Sequence, residues 1–322
     1  APNRASLVTG RYPSVHRLRS NGQRLPEDEL TLMQILRDQG YATYGTGKMH
    51  FGPQWEWPAD GKPIEDPDPA TAISPQPDEN AFPWYGFDRV ALTEDHRMGP
   101  YGDYIHDVDY SVGEILHTLA YCGVLDNTIV IFTSDNGGDV GGVEEVQARE
   151  LGFKNNGDLR GDKHTIWEGG FKVPFVVRWP NVVSPGRQSN QMINIADIFA
   201  TLQEIVGGET LAPQIAGADS FSFCSTLRGD NTETTGRATM VINDVAGVIA
   251  IRLNEWKYIE DKVLRPTPNG RPPRKPKPQL FNLKQDPVEE NNVIAEFPEI
   301  AKNMQEMLDR IRVQGSERTV AR

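Results

Sequence analysis

An α/β architecture, with a mostly parallel central sheet flanked by helices and a small C-terminal antiparallel sheet plus helix, is predicted by three observations. Two apolar runs of strand length, Thr128-Ile-Val-Ile-Phe-Thr133 and Val173-Pro-Phe-Val-Val-Arg-Trp179, are near-continuous rather than alternating, as in strands covered on both faces. Segments with apolar residues at helical spacing lie between and around them. Beyond residue 208 the composition shifts to short β-type runs separated by loops.

The elements follow in chain order. Residues 30–39 place Leu32, Ile35 and Leu36 on one helix face and end at Gly40, the expected C-cap. A short strand, 41–44, runs into Gly45-Thr-Gly-Lys-Met-His50, and residues 53–83, rich in Pro, Asp and Glu, read as a long surface loop. From 104 to 121, Ile105, Val108, Val112, Ile115, Leu116 and Leu119 recur at helical spacing, and Gly123 closes the helix. The strand 128–133 ends in Ser134-Asp135-Asn136-Gly137-Gly138, and the strand 173–179 follows Gly169-Gly170. An amphipathic helix over 195–206 turns Ile198, Phe199, Leu202 and Ile205 inward. Short β-type runs occupy 240–242, 248–252 and 256–259, a Pro/Lys/Arg-rich connection spans 265–278, and a final helix over 298–313 buries Ile300, Met304, Met307, Leu308 and Ile311. The expected division is a main α/β domain over 1–208 and a C-terminal subdomain over 209–322.

With 322 residues the chain can bury a sizeable core. No apolar run approaches the roughly 18 residues of a membrane span. The formal net charge of −12 argues against nucleic-acid and anionic-membrane surfaces, which call for a basic face. A small anionic substrate stays open, because cations gathered in a pocket bind an anion whatever the overall charge. Cys122 and Cys224 fit no metal or redox spacing, and a disulfide between them is left open.

Asp135 and Asn136 stand where an apolar strand gives way to a Gly-Gly turn, the end of the sheet at which α/β folds place ligands. Two oxygen donors there suit a hard cation such as Ca²⁺, although Asp and Asn also make ordinary turns. Lys48 and His50 follow another short strand; a lysine offers a point charge for an oxyanion and a histidine a proton acceptor near neutral pH. Lys163, in Arg160-Gly-Asp-Lys-His-Thr-Ile-Trp-Glu-Gly-Gly170, and Arg4 have the same two readings, ligand for an anion or solvated cation.

The opening Ala1-Pro-Asn-Arg-Ala-Ser-Leu-Val-Thr-Gly-Arg11 resembles the sulfatase signature Cys/Ser-x-Pro-x-Arg-x-x-x-x-Thr-Gly-Arg from its second residue on. Four further segments occur in that family's order: Gly-x-Gly-Lys-x-His-x-Gly, the strand ending Ser-Asp-Asn-Gly-Gly, Lys-x-x-x-x-Glu-Gly-Gly-x-x-Val-Pro, and Leu-Phe-Asn-Leu-x-x-Asp-Pro-x-Glu-x-Asn. On these the chain is similar to type I sulfatases of the alkaline phosphatase superfamily. The resemblance implies sulfate-ester hydrolysis with Ca²⁺, Mg²⁺ being less favoured, through a formylglycine at the position preceding Ala1. It further implies that Arg4 orients the formylglycine hydrate, that Lys48 and His50 contact it with His50 as base, that Lys163 binds the substrate sulfate, and that Asp135 and Asn136 hold part of the metal. A phosphonate monoester or phosphodiester hydrolase and a non-catalytic binder of sulfated glycans are the alternatives.

The pattern also departs from the family's. The nucleophile position and the Asp-Asp pair that completes the metal site would precede Ala1, so the expectation is a fragment, poorly folded and inactive by itself. The family's additional histidine has no clear match; His96 and His164 are the nearest, with His16 at the pocket entrance a weaker reading. Trp55, Trp57 and Trp84 are candidates for stacking on a sugar or aryl ring. The implied partner is a glycan or small-molecule sulfate ester, with no nucleic acid, and export to the periplasm or beyond is a family-level expectation.

Overall fold

The computed structural model describes residues 2–16, 25–26, 28–41, 43–46, 89–91, 101–139, 146, 152, 154–207, 216–230, 236–245, 247–263 and 277–315. Lys48, His50, His96, the 53–83 loop with Trp55 and Trp57, Trp84 and most of the 265–278 connection lie outside them. Two compact units divide the chain: Ala1–Arg97 with Ile193–Gly236 and Gly315–Arg322, and Met98–Met192 with Arg237–Gln314. Residues on both sides of 208 thus enter the first unit, so the units interleave along the chain instead of meeting at that position.

The first unit contains α1 (Pro2–Thr9), α2 (Pro13–His16), α3 (Leu32–Asp38), the parallel pair β1 (Tyr44–Thr46) and β2 (Arg89–Ala91), and two later helices, Asp197–Ile205 and Cys224–Arg228. The helix α3 starts in a capping box: Gln34 N–H donates to Thr31 Oγ1 at 3.3 Å and Thr31 N–H to Gln34 Oε1 at 2.6 Å. It ends where expected, with Gly40 N–H donating to Arg37 O and Tyr41 N–H to Leu36 O. Leu32, Phe199 and Ala216 form the core, joined by Ile35, Leu36 and Leu202. The helix Asp197–Ile205 is stitched to residues 220–223 by polar side chains from both segments. Asp197 accepts Phe221 N–H at 2.9 Å, Thr201 accepts Phe223 N–H at 3.0 Å, and Ser220 Oγ donates to Ala196 O at 2.7 Å.

The signature segment is pinned to the same core. Gly10, at φ 61, lies against Phe199 so closely that a Cβ would meet its ring at 2.8 Å, a conformation and a space that only glycine satisfies. Thr9 O accepts Gly217 N–H, Gly10 O accepts Asp219 N–H, and Tyr12 N–H donates to Asp219 Oδ2 at 3.0 Å. His16 is buried at 3.2 Å from Ser6 Oγ, a packing contact between α1 and α2; a place at a pocket entrance does not fit its complete burial.

The second unit contains α4 (Tyr101–Tyr121), β3 (Val130–Thr133), α5 (Glu168–Phe171), β4 (Phe175–Arg178), the sheet β5 (Thr239–Asn243), β6 (Val248–Leu253), β7 (Trp256–Val263), β8 (Gln279–Asn282), and a C-terminal helix Pro298–Gln314. The sheet β5-β6-β7-β8 is antiparallel throughout, as the sequence predicts. Ala301, Met304, Leu308 and Ile311 of the C-terminal helix are buried, and Arg312 holds the buried Glu260 of β7 through two 2.9 Å bonds.

Two details differ from the sequence reading. β3 pairs antiparallel with β4, Val130 opposite Arg178 and Thr133 opposite Phe175, because an apolar run reports burial and carries no information on strand direction. The cross-strand neighbours Phe132 and Val176 are 40% and 59% exposed, and Ile105 and Ile115 of α4 are also exposed. Among the described residues, no helix is long and apolar enough to cross a membrane.

Both cysteines are free, Cys122 exposed and Cys224 buried. Burial, with the nearby Glu204 carboxylate, pushes the Cys224 thiol up to about 11, so at pH 8 it holds almost no thiolate. A disulfide-exchange reagent at that pH is expected to titrate one of the two thiols rapidly in the native chain and the second only in denaturant. Fast release of two equivalents would contradict the packing around Cys224.

Candidate functional site

β3 delivers the candidate metal residues. The chain leaves it at Thr133 and turns through Ser134-Asp135-Asn136-Gly137-Gly138-Asp139. Ser134 Oγ donates to Asn136 O at 2.8 Å and Asn136 Nδ2 to Gly137 O at 2.9 Å, so the side-chain group Asn136 has left to offer is its acceptor oxygen. Asp135 is partly buried.

A second loop, 160–170, carries Lys163 and is zipped onto the first. Gly137 N–H donates to Gly170 O at 2.9 Å and Lys163 N–H to Gly138 O at 3.0 Å. Asn156 joins them from a third segment: its Oδ1 accepts Gly138 N–H at 2.7 Å while its Nδ2 donates to Gly138 O and Gly161 O. Asn155 Nδ2 holds Asp139 O at 2.9 Å. The approach at Gly137 requires glycine, since a Cβ there would sit 1.7 Å from Gly169 O.

Within this frame the Lys163 ammonium lies 3.9 Å from Asp139 Oδ2, both side chains more than a third exposed. A pair that long and that wet contributes less than about 1 kcal/mol, so an arriving anion takes the lysine at little cost. The loop is internally set by Thr165, whose Oγ1 donates to Asp162 O at 2.7 Å and accepts Asp162 N–H at 3.0 Å.

Behind the loop lies a buried charge cluster. Lys257 Nζ is 3.1 Å from Glu168 Oε1 and 2.8 Å from Glu289 Oε1, and Arg252 Nη1 is 3.5 Å from Glu168 Oε2. Burial pushes the Glu289 carboxyl above the ordinary range, opposed by the Lys257 ammonium. Arg160 stacks its guanidinium 3.5 Å over the Trp167 ring, and Trp167 meets Phe281 edge-on.

The structure therefore joins the loops of Asp135, Asn136 and Lys163, while Arg4 belongs to the other unit, on α1, and Lys48 and His50 fall outside the described residues. Among the described residues no three His, Cys, Asp or Glu side chains gather as a metal site. Of the other histidines, His117 is exposed on α4; His164 stands beside Lys163 at φ 80, exposed, its carbonyl accepting Val245 N–H at 3.3 Å. The sequence reading missed Asn155, Asn156, Asp139 and the Glu168–Lys257–Glu289 cluster. Asn156-Gly157 carried a turn signal, but nothing in a turn dipeptide reports which carbonyls its amide will reach.

A family model described as Sulfatase matches residues 64–208. Over 227 residues the chain is 35% identical to N-acetylgalactosamine-6-O-sulfatase of Bacteroides thetaiotaomicron, covering 67% of this chain and 42% of that protein. It is 29% identical over 243 residues to human steryl-sulfatase, covering 66% of this chain and 40% of the relative. The chain thus spans about two fifths of the length of these curated relatives. A structure solved in a study of glycosaminoglycan metabolism by Bacteroides thetaiotaomicron superposes with a TM-score of 0.75 at 23% identity, covering 97% of this chain and 89% of that one. A sulfatase from Pseudoalteromonas sp. superposes at 0.70 with 18% identity, covering 97% and 79%. At these identities the two superpositions establish the fold.

Proposed function

The chain belongs to the sulfatase family, and from that premise we propose that the protein it forms part of hydrolyses sulfate monoesters of a glycan or small molecule, with Ca²⁺ and a formylglycine. The observation that carries the reading is the zipped pair of loops, which sets the loosely paired Lys163 ammonium against Asp139, in the turn that also bears Asp135 and Asn136.

The donor set fits a hard divalent cation in kind. Asp135 offers a carboxylate and Asn136 an amide oxygen whose nitrogen is already used by Gly137 O. These two residues would hold part of the ion's coordination shell, the rest coming from groups beyond them. When bound, such a cation neutralises charge on the sulfate oxygens. A formylglycine at the position ahead of Ala1, where the signature's spacing puts it, supplies a hydrate oxygen as nucleophile.

The chain's own residues do the rest. Lys163 takes a sulfate oxygen by a charge-assisted hydrogen bond and holds the sulfur in line for attack. As the S–O bond to the alcohol breaks, the same ammonium offsets charge that grows on the departing side. Arg4 orients the nucleophile with its guanidinium, Lys48 contacts the same group, and His50 removes the proton whose loss releases sulfate. In this scheme the catalytic residues all fall within 1–208, and residues 209–322 support them.

The test is hydrolysis of 4-nitrophenyl sulfate by protein that includes the residue ahead of Ala1, before and after EDTA. Activity should vanish with the metal and return with Ca²⁺ more fully than with Mg²⁺. Faster turnover of an aryl phosphonate than of the sulfate would move the assignment to phosphonate hydrolysis, and sulfate binding without turnover would make the protein a binder.

A further inference from the structure

Glu289 takes no part in the chemistry above, yet it is completely buried and left-handed, at φ 57. The loop that holds it there is built by Asp286, which accepts the N–H groups of Glu290 and Asn291 at 3.1 and 2.8 Å. From this position Glu289 grips the Lys163 loop twice. Its carboxylate Oε2 accepts Glu168 N–H at 2.7 Å, and its backbone carbonyl accepts Arg160 Nη1 at 2.6 Å. The two grips fall on either side of Lys163, and Gly169 N–H donating to Arg160 O at 2.8 Å closes the stretch between them into a ring. Lys257, also completely buried, hydrogen-bonds Glu168 and forms an ion pair with the second carboxylate oxygen of Glu289, while Ile166 and Trp167 of the ring pack into the core of the β5–β8 sheet.

Stability alone does not call for such a cluster. Well-packed apolar side chains of the same volume commonly stabilise a fold as well as a buried ion pair does. What directional, charge-assisted bonds add is a single defined position for the chain they hold. A catalytic ammonium on a loop needs that definition, because a displacement of about 1 Å costs about 100-fold in rate.

We propose that Glu289, through Arg160 on one side and Glu168 with Lys257 on the other, is a positioning residue for Lys163, fixing the 160–169 ring so that the ammonium meets the substrate sulfate. The proposal rests on the reading of Lys163 as the sulfate-binding residue.

Its test uses the full-length protein carrying Arg160→Gln, Glu289→Gln, Lys163→Ala, and each of the first two combined with Lys163→Ala. Arg160 is exposed, so its substitution should leave folding intact. Glu289→Gln keeps the volume and an acceptor for Glu168 N–H but removes the charge. The readouts are kcat and KM for 4-nitrophenyl sulfate per folded molecule, affinity for inorganic sulfate by calorimetry, amide exchange across 161–169, and Tm. Both single substitutions should lower kcat about 10–100-fold, weaken sulfate binding about tenfold and speed exchange in the ring. With Lys163 already replaced, neither should cost more than about a further twofold.

A fall in Tm with kcat and sulfate affinity unchanged would make Glu289 a stability residue only, and so would a loss repeated in full without Lys163. If Glu289→Gln fails to fold, Arg160→Gln decides by the same measurements. Wild-type kcat and sulfate affinity in Lys163→Ala would overturn the underlying reading of Lys163, a result obtained without touching Glu289.

Discussion

Gly137→Ala is expected to destabilise the second unit by about 3 kcal/mol or more and to abolish activity in the molecules that remain folded. The added carbon would lie 1.7 Å from Gly169 O, 2.7 Å from Gly169 C and 3.1 Å from Gly170 Cα, all backbone atoms with no rotamer to swing aside. Relief means parting the two loops, which opens the Gly137–Gly170 bond and strains those of Gly138 to Lys163 and Asn156. For a unit of this size the loss corresponds to a fall in Tm of roughly 6–12 °C. Scanning calorimetry checks it. An unchanged Tm would mean that the loops do not approach as closely as described.

Lys163→Ala should lower kcat by about 10²–10³-fold, the cost of removing one preorganised donor to developing charge, about 2.7–4 kcal/mol of transition-state stabilisation. The same variant should leave Tm within about 1 °C. Among the described residues its ion pair is with Asp139, long and exposed, and alanine keeps the backbone N–H that bonds Gly138 O. A catalytic effect without a stability effect separates a ligand of the substrate from a strut of the fold. Equal losses in both would make Lys163 structural, and Lys163→Arg, which keeps charge but not the compact point of it, should recover only part of the rate.

What the sequence made legible was local. The helix Leu32–Asp38 could be found because its cap and its apolar face lie within ten residues, and the turn bearing Asp135 and Asn136 because Ser-Asp-Asn-Gly-Gly directly follows an apolar run. The same holds for the Pro298–Gln314 helix, whose inward Met304, Leu308 and Ile311 recur at helical spacing. What stayed hidden was pairing at a distance. Glu289 meets Glu168 across 121 positions, and nothing in Asp-Pro-Val-Glu says which N–H its carboxylate will cap. The direction of β3 was equally silent, since hydrophobic content measures burial and strand polarity depends on the partner. Arg4 read as part of a site through a motif alone; the helix that carries it runs directly into Gly10, which lies against Phe199, and Thr9 and Gly10 bond residues 217 and 219 as its immediate physical context.

Those bonds tie synthesis to folding. Tyr12 donates to Asp219, 207 positions later, and Thr9 and Gly10 wait on Gly217 and Asp219 in the same way. A ribosome adding roughly 5–20 residues per second needs about 10–40 s to cover that distance. An eight-residue helix such as α1 has no stability of its own in water over such an interval. The segment bearing Arg4 therefore spends that time as open, solvent-accessible chain: it leaves the ribosome well before the residues that lock it into place, and any molecule that must act on it in extended form has that interval in which to do so.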